Sequence, residues 1–186
     1  VEVVRQLLAK IDPHQLKGTL VAVPVVNVFG FIHKSRYLPD RRDLNRCFPG
    51  SARGSLGSRM AHMFFDNIVK HCSHIIDLHT GAIHRTNLPQ IRANLDNPAT
   101  NAMALAFGAP VIIDASLRDG SLRSEAESMD IPVITYEAGE ALRFDPIAIA
   151  AGLQGVESVM RSLGMLRMLR KKRLSEPVIA RSSSWV

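Results

Sequence analysis

The sequence predicts a three-layer α/β domain. Three observations carry that expectation. Segments with helical spacing of apolar residues alternate with short Val- and Ile-rich runs, turn residues separate them, and the polar residues best suited to chemistry fall where the runs end. A chain of 186 residues, 46% hydrophobic and 22% charged, is long enough for one such domain with a real core.

Taken in order, "VEVVRQLLAKI" opens with Val1, Val4, Leu7, Leu8 and Ile11 on one side of a helix. Residues 19–27, "TLVAVPVVN", read as a buried strand, although Pro24 argues against a fully paired central position. Residues 28–57 hold Gly, Pro, Arg and Asp without a sustained period and read as a long loop, the kind that is usually functional. Met60, Phe64 and Ile68 lie four apart, which predicts a helix over residues 58–71 with Ser58 as its cap. "SHIIDL" follows as a short strand, with His79 just past its end, and residues 81–98 read as loop. "PATNAMALAFG" is a helix started by Pro98 and ended by Gly108. "APVIID" and "IPVITYEAG" are strands on either side of a polar helix, "SLRSEAESM". Residues 145–166 form a long helix with Pro146 in its first turn; Gly152 and Gly155 argue against one unbroken rod.

Composition excludes several classes. The formal charge of +6 is concentrated in the basic stretch at 161–174, which reads as a solvated helix end. Aromatic residues are only 5%, and no stacking or helix-turn-helix pattern accompanies the basic run, so nucleic acid is not an expected partner. No apolar run approaches the length of a membrane span. Cys47 and Cys72 show no metal or redox spacing, which fits a reducing compartment, and a cytoplasmic location is expected. A helix at the first residue, without Met, and a strand opening at the last lead us to expect a segment of a longer protein.

In sheets of this class ligands bind outside the carboxyl ends of the strands. The Asn45–Arg46 loop, the Asp77–His79 segment and Tyr136–Glu137 all fall there. An imidazole on a strand end suits zinc, and Asp77 can orient its ring. Glu137 ends an apolar run, where a carboxylate can take a proton from water and hand it to a leaving amine. Asn45 and Arg46 supply amide and fork-shaped donors suited to a substrate carboxylate. Blander roles stand beside these. His79 can be a hydrogen-bonded surface residue, Glu137 can cap a turn or pair with an Arg, and Asn45–Arg46 can pin the loop through Asp43 and Asp40. His71 and His74 straddle a helix-to-strand junction and make a poor metal pair; His62 reads as structural on the Met60–Phe64 helix, and His14 and His33 have no partner spacing.

The string "SRYLPDRRDLNRCFPG", with "IIDLHTG" downstream and "ITYEAG" further on, resembles the succinylglutamate desuccinylase/aspartoacylase family, zinc-dependent amide hydrolases related to metallocarboxypeptidases. The resemblance implies a zinc-carboxypeptidase-like three-layer α/β/α fold with a mostly parallel mixed sheet, incomplete at both ends. It implies His79 as a zinc ligand, Glu137 as general base and acid, and Asn45 and Arg46 as holders of a substrate carboxylate. An arginine shortly before them polarises the scissile carbonyl; Arg36 is the choice, with Arg41 and Arg42 in the same segment. The family's remaining zinc ligands form a His-x-x-Glu motif, which this sequence does not contain. Residues 1–174 are then expected to be the larger part of a catalytic domain, and 175–186 the start of a β-rich region. The implied activity is zinc-dependent deacylation of a small N-acyl amino acid or similar carboxylate-bearing substrate, with this segment alone inactive. The alternative is a metal-free pseudoenzyme or binding module on the same scaffold. A serine hydrolase lacks its Gly-x-Ser-x-Gly elbow here, and nucleotide binding lacks both of its glycine-rich loops.

Overall fold

The computed structural model describes residues 1–168 and 176–181. The boundary expected at 174/175 and much of the basic stretch at 161–174 lie outside the described residues. Two compact units are present: residues 1–24, 76–115, 134–168 and 176–181 belong to one, and residues 25–75 and 116–133 to the other.

The first unit holds the sheet. Its strands are β1 (Ile75–Gly81), β2 (Asn87–Ala93), β3 (Val111–Asp114), β4 (Val133–Glu140) and β5 (Val178–Ala180), in the order β1-β4-β2-β3-β5. β3 runs parallel to both β2 and β5, whereas β2 and β4 are antiparallel, with Ile91 opposite Tyr136. The fold class is the expected three-layer α/β/α arrangement with a mixed, mostly parallel sheet. β5, expected as a strand from "EPVIA", pairs with β3 in this same sheet.

α4 (Pro98–Phe107) and α6 (Pro146–Ser162) pack against the sheet, and α1 (Glu2–Lys10) packs against α6. α1 buries Leu7 and packs Val3 and Ile11 beside it, a narrower face than the expected one, since Leu8 is exposed. α4 begins where it should: Asn97 Oδ1 accepts from the N–H groups of Ala99 and Thr100, and Pro98 needs no donor at that position. α6 is capped in the same way by Asp145.

Gly152 and Gly155 do not break α6, contrary to expectation. They let aromatic rings lie against the helix backbone: a Cβ at 155 would come within 2.1 Å of the Phe107 ring. Phe107 in turn packs on Tyr136 with centroids 4.9 Å apart. The Tyr136 hydroxyl donates to the Ala148 carbonyl at 2.8 Å, and burial pushes its pKa up to about 12. Glu157, almost fully buried on α6, is paired by Lys10 and by Arg161 at 2.8 Å.

Two expectations about this unit fail. The run at 81–98 is not all loop, because β2 lies within it, with Ile91 and Ala93 fully buried. Pro89 hid this strand; it sits at a bulge between Asn87 and Gln90, where a missing N–H is tolerated. Residues 19–27 form no strand: the run is half-buried or exposed along its length, and Pro24 removes a donor from its middle.

The second unit has its own apolar cluster, in which Leu38, Leu44, Phe48, Phe65, Val69, Leu122 and Val133 are buried. Its helices are α2 (Val28–His33), α3 (Leu56–Asn67) and α5 (Leu122–Glu127). α2 lies inside the expected long loop, started by Asn27 Oδ1 accepting from Gly30 N–H. α3 starts earlier than expected. Its cap is Ser55, whose hydroxyl accepts from the N–H of Ser58, the residue expected to be the cap itself.

Candidate functional site

The candidate residues divide between the two units. In the first, Asp77 and His79 lie two apart on β1 and share a face of the strand. His79 is within the strand rather than past its end, because β1 continues to Gly81. His79 Nε2 donates to Asp77 Oδ2 at 2.7 Å, and both side chains are partly buried. This contact fixes the plane of the imidazole, as the acid at that spacing suggested.

Glu137 lies on β4, the strand next to β1 in the sheet. Ala141 N–H donates to Gly81 O at 3.0 Å, so the carboxyl ends of the two strands meet. Glu137 follows four buried residues, Val133 to Tyr136, and is itself only half-buried.

Its partner is one that sequence reasoning missed. Asn87 Nδ2 donates to Glu137 Oε2 at 3.0 Å. The bulge explains the contact. Glu137 stands opposite Gln90 and Gly139 opposite Asn87, three residues along β2 against two along β4. In an unbulged ladder Leu88 would face Gly139; the extra residue turns Asn87 toward the Glu137 side instead. Nearby, Glu140 accepts from His84 N–H at 2.9 Å and pairs with Arg143 at 3.1 Å. The backbone bond, helped by the guanidinium, holds its carboxyl below the usual range.

In the second unit, "DLNRCFPG" folds as a 3-10 turn, Leu44–Arg46. Asp43 caps it, with Oδ1 accepting from Asn45 N–H at 3.0 Å. Asn45 Oδ1 accepts from Leu122 N–H at 2.9 Å, the first residue of α5. Phe48 N–H donates to Gly120 O at 3.0 Å and makes a second tie between the same two segments. Gly120 has φ +70°, and a Cβ there would sit 2.9 Å from Arg46 O, so only glycine permits so close an approach. The Arg46 guanidinium folds back on the Asn45 carbonyl.

Three arginines stood open for the earlier position. Arg36 donates through Nε and Nη2 to Asp43 Oδ2 at 3.0 and 2.7 Å. Arg42 is turned to Asp40, 3.9 Å away, and Arg41 occupies the tight turn with φ +63°. Asp40 accepts from Gly57 N–H at 2.9 Å, and this backbone bond lowers its pKa. Of the bland role expected for Asn45–Arg46, pinning the loop through Asp43 and Asp40, the Asp43 contacts are present, whereas Asp40 is engaged by Gly57 and Arg42.

The remaining histidines gather no metal site. His74 Nδ1 lies 3.1 Å from the Ser73 hydroxyl, and His71 ends a separate 3-10 turn. Among the described residues no group of three or more His, Cys, Asp or Glu side chains could hold a metal ion. A catalytic zinc needs three protein ligands and an open position. The donor set of Asp77 and His79 falls short of that, so the residues described here do not hold zinc by themselves. A surface hollow of about 400 Å³ is lined by Glu2, Gln6, Phe144, Pro146, Ile149 and Ala150; it contains none of the candidate residues.

Residues 1–163 match the family model described as the succinylglutamate desuccinylase/aspartoacylase catalytic domain. The chain belongs to this family. It is 29% identical over 170 residues to an N-alpha-acetyl-L-2,4-diaminobutyric acid deacetylase of Halomonas elongata, covering 87% of this chain and 50% of that protein. Its structure resembles the product-bound ectoine utilization protein EutE (DoeB) of Ruegeria pomeroyi, with TM-score 0.87, 25% identity and coverage of 98% of this chain and 58% of that one. A succinylglutamate desuccinylase/aspartoacylase from Rhodobacter sphaeroides superposes with TM-score 0.80 at 27% identity, covering 89% of this chain and 51% of that one. The chain therefore spans about half the length of the family members it matches. No helix among the described residues is long and apolar enough to cross a membrane.

Proposed function

We propose that the whole protein is a zinc-dependent hydrolase that cleaves the amide bond of a small N-acyl amino acid or a similar carboxylate-bearing substrate. The observation that carries this reading is the pair of partnered polar groups at the carboxyl ends of adjacent strands, His79 with Asp77 and Glu137 with Asn87, in a chain of this family. His79 is proposed as one metal ligand, its ring oriented by Asp77. The remaining ligands are not among the residues described here.

Glu137 is proposed as general base and acid. Its Oε2 is engaged by Asn87, which turns the carboxylate so that Oε1 is the oxygen offered to a water. That oxygen takes the water's proton and returns it to the departing amine. Asn45 and Arg46 are proposed to hold the substrate carboxylate. The turn suits an anion because its own acceptors are occupied: both Asp43 oxygens, Asn45 Oδ1 and the Asn45 carbonyl accept bonds from within the chain. What it presents outward is donors. Arg36 is proposed to polarise the scissile carbonyl, in preference to Arg41 and Arg42, because it alone of the three is bonded to the Asn–Arg turn. The Halomonas enzyme makes an N-acetyl amino acid the first substrate to try. A cytoplasmic location belongs to the same proposal. A metal-free binding module on this scaffold is the second reading, favoured by the incomplete donor set.

The test is zinc content by elemental analysis, together with release of acetate from N-alpha-acetyl-L-2,4-diaminobutyrate. Both are measured for this chain and for a form extended to the family's full length. Zinc near one per chain and turnover, both in the extended form only, with turnover lost in Glu137→Gln, are the expected results. Absence of zinc and turnover from the extended form would establish the binding-module reading instead.

A further inference from the structure

We infer that Asp43 is a positioning residue that locks Arg36 to the carboxylate-holding turn and thereby decides which edge of the guanidinium meets a ligand. The inference rests on the carboxylate-binding reading of Asn45 and Arg46 given above. A guanidinium can present two bidentate edges, one through Nε and one Nη, the other through both Nη groups. Asp43 Oδ2 takes the first edge, with contacts of 3.0 Å from Nε and 2.7 Å from Nη2. The other carboxylate oxygen caps the 3-10 turn through Asn45 N–H at 3.0 Å. The Asp43 carbonyl accepts from Arg46 N–H at 3.0 Å and from the Cys47 thiol at 3.2 Å. One residue therefore touches the Arg36 guanidinium through its side chain and the backbone amides of Asn45 and Arg46, the two residues proposed to hold the carboxylate.

The chain path makes this possible. Tyr37 and Asp43 form an antiparallel bridge, and Leu38 N–H donates to Arg42 O at 3.0 Å. Residues 38–42 turn back between these contacts, with Arg41 at φ +63°, so Arg36 returns to Asp43 across seven residues of sequence. The Asp43 side chain is 17% exposed and the Arg36 side chain 61%. An exposed ion pair of this kind adds little to stability. Its consequence is orientation: a long, mobile arginine is held with its Nη1/Nη2 edge outward.

The experiment is NMR titration of the form extended to the family's full length with N-alpha-acetyl-L-2,4-diaminobutyrate, for the wild type, Asp43→Asn, Arg36→Gln and the double variant. Asparagine keeps an acceptor for Asn45 N–H, and Arg36 lies at the surface, so either variant reports without loss of the turn. Each single variant is expected to weaken binding about tenfold, and the double variant no further, because Asp43 acts through Arg36. A merely structural Asp43 would give losses that multiply. Unchanged binding in Asp43→Asn, or multiplied losses in the double variant, overturns the assignment of Asp43. A folded wild type that fails to shift with the probe overturns the carboxylate-binding reading itself.

Discussion

Gly155→Ala is the substitution for which the packing and the local propensity disagree most sharply. In a helix interior, alanine is favoured over glycine by about 1 kcal/mol. Against that, a Cβ at 155 would lie 2.1 Å from Phe107 Cε1 and 2.4 Å from both Cδ1 and Cζ. Ordinary contacts of this kind begin near 3.4 Å, so the ring must retreat by more than 1 Å. It has nowhere easy to go, being 3% exposed and stacked 4.9 Å from Tyr136. Overpacking of a closed core costs about 1–3 kcal/mol, and a meeting with three ring atoms belongs at or above the upper end. The net expectation is a loss of about 2 kcal/mol, or about 4–8 °C in Tm for a chain of this size. Urea and thermal unfolding followed by circular dichroism measure it. Gly152→Ala is the internal comparison: its Cβ meets Tyr136 Cε1 at 2.9 Å and Val3 Cγ2 at 3.0 Å, a milder clash than the 2.1 Å at 155. It should change stability by less than about 1 kcal/mol. Adding Phe107→Leu should cost less in the Gly155→Ala background than in the wild type. A Gly155→Ala chain as stable as the wild type, or more so, would refute the account of why α6 carries these glycines.

Two further outcomes are expected. Burial alone would push the Glu157 pKa up, but hydrogen bonds from Lys10 and Arg161 outweigh it and hold the carboxyl below its ordinary 4.5. Its folded pKa is therefore the lower one, so the stabilisation is present above pH 4.5 and lost as pH falls through the folded value. The urea midpoint should drop over that window in the wild type and less steeply in Glu157→Gln. Asn45→Asp keeps an acceptor for Leu122 N–H while replacing the amide donor with a carboxylate oxygen. Stability should stay within about 0.5 kcal/mol, whereas the affinity for an N-acetyl amino acid should fall more than about tenfold in the same NMR titration.

Elements announced by local chemistry were legible in the sequence. Asn97–Pro98 and Asp145–Pro146 each start a helix where the side-chain oxygen and the missing N–H demand one, and both helices begin there. β3 and β4 are apolar runs between turn residues, and they appear as such. What was not legible depended on partners. Residues 19–27 have the composition of a strand but find no ladder among the described residues, and propensity without pairing does not make a strand. β2 has the opposite history: polar residues and Pro89 disguise it, yet it has a neighbour on each side. The candidate residues themselves could be named from the motifs. Their supports could not, since Asn87 reaches Glu137 across 50 residues and Leu122 reaches Asn45 across 77.

The location of those supports bears on how a site of this kind is assembled. Each candidate side chain is held by a group inside its own compact unit. Asp77 holds His79 and Asn87 holds Glu137 in the first unit; Asp43 holds Arg36, and Leu122 holds Asn45, in the second. A polar group held by partners of its own unit has its orientation set by that unit's fold, before any ligand, metal or further stretch of chain arrives. The entropy of ordering it is then met on folding rather than on binding, which is the condition for preorganised recognition. The metal set is the exception. Among the described residues His79 and Asp77 do not complete it, so only the orientation of the His79 ring, and not the zinc site proposed for the whole protein, is set by the contacts seen here.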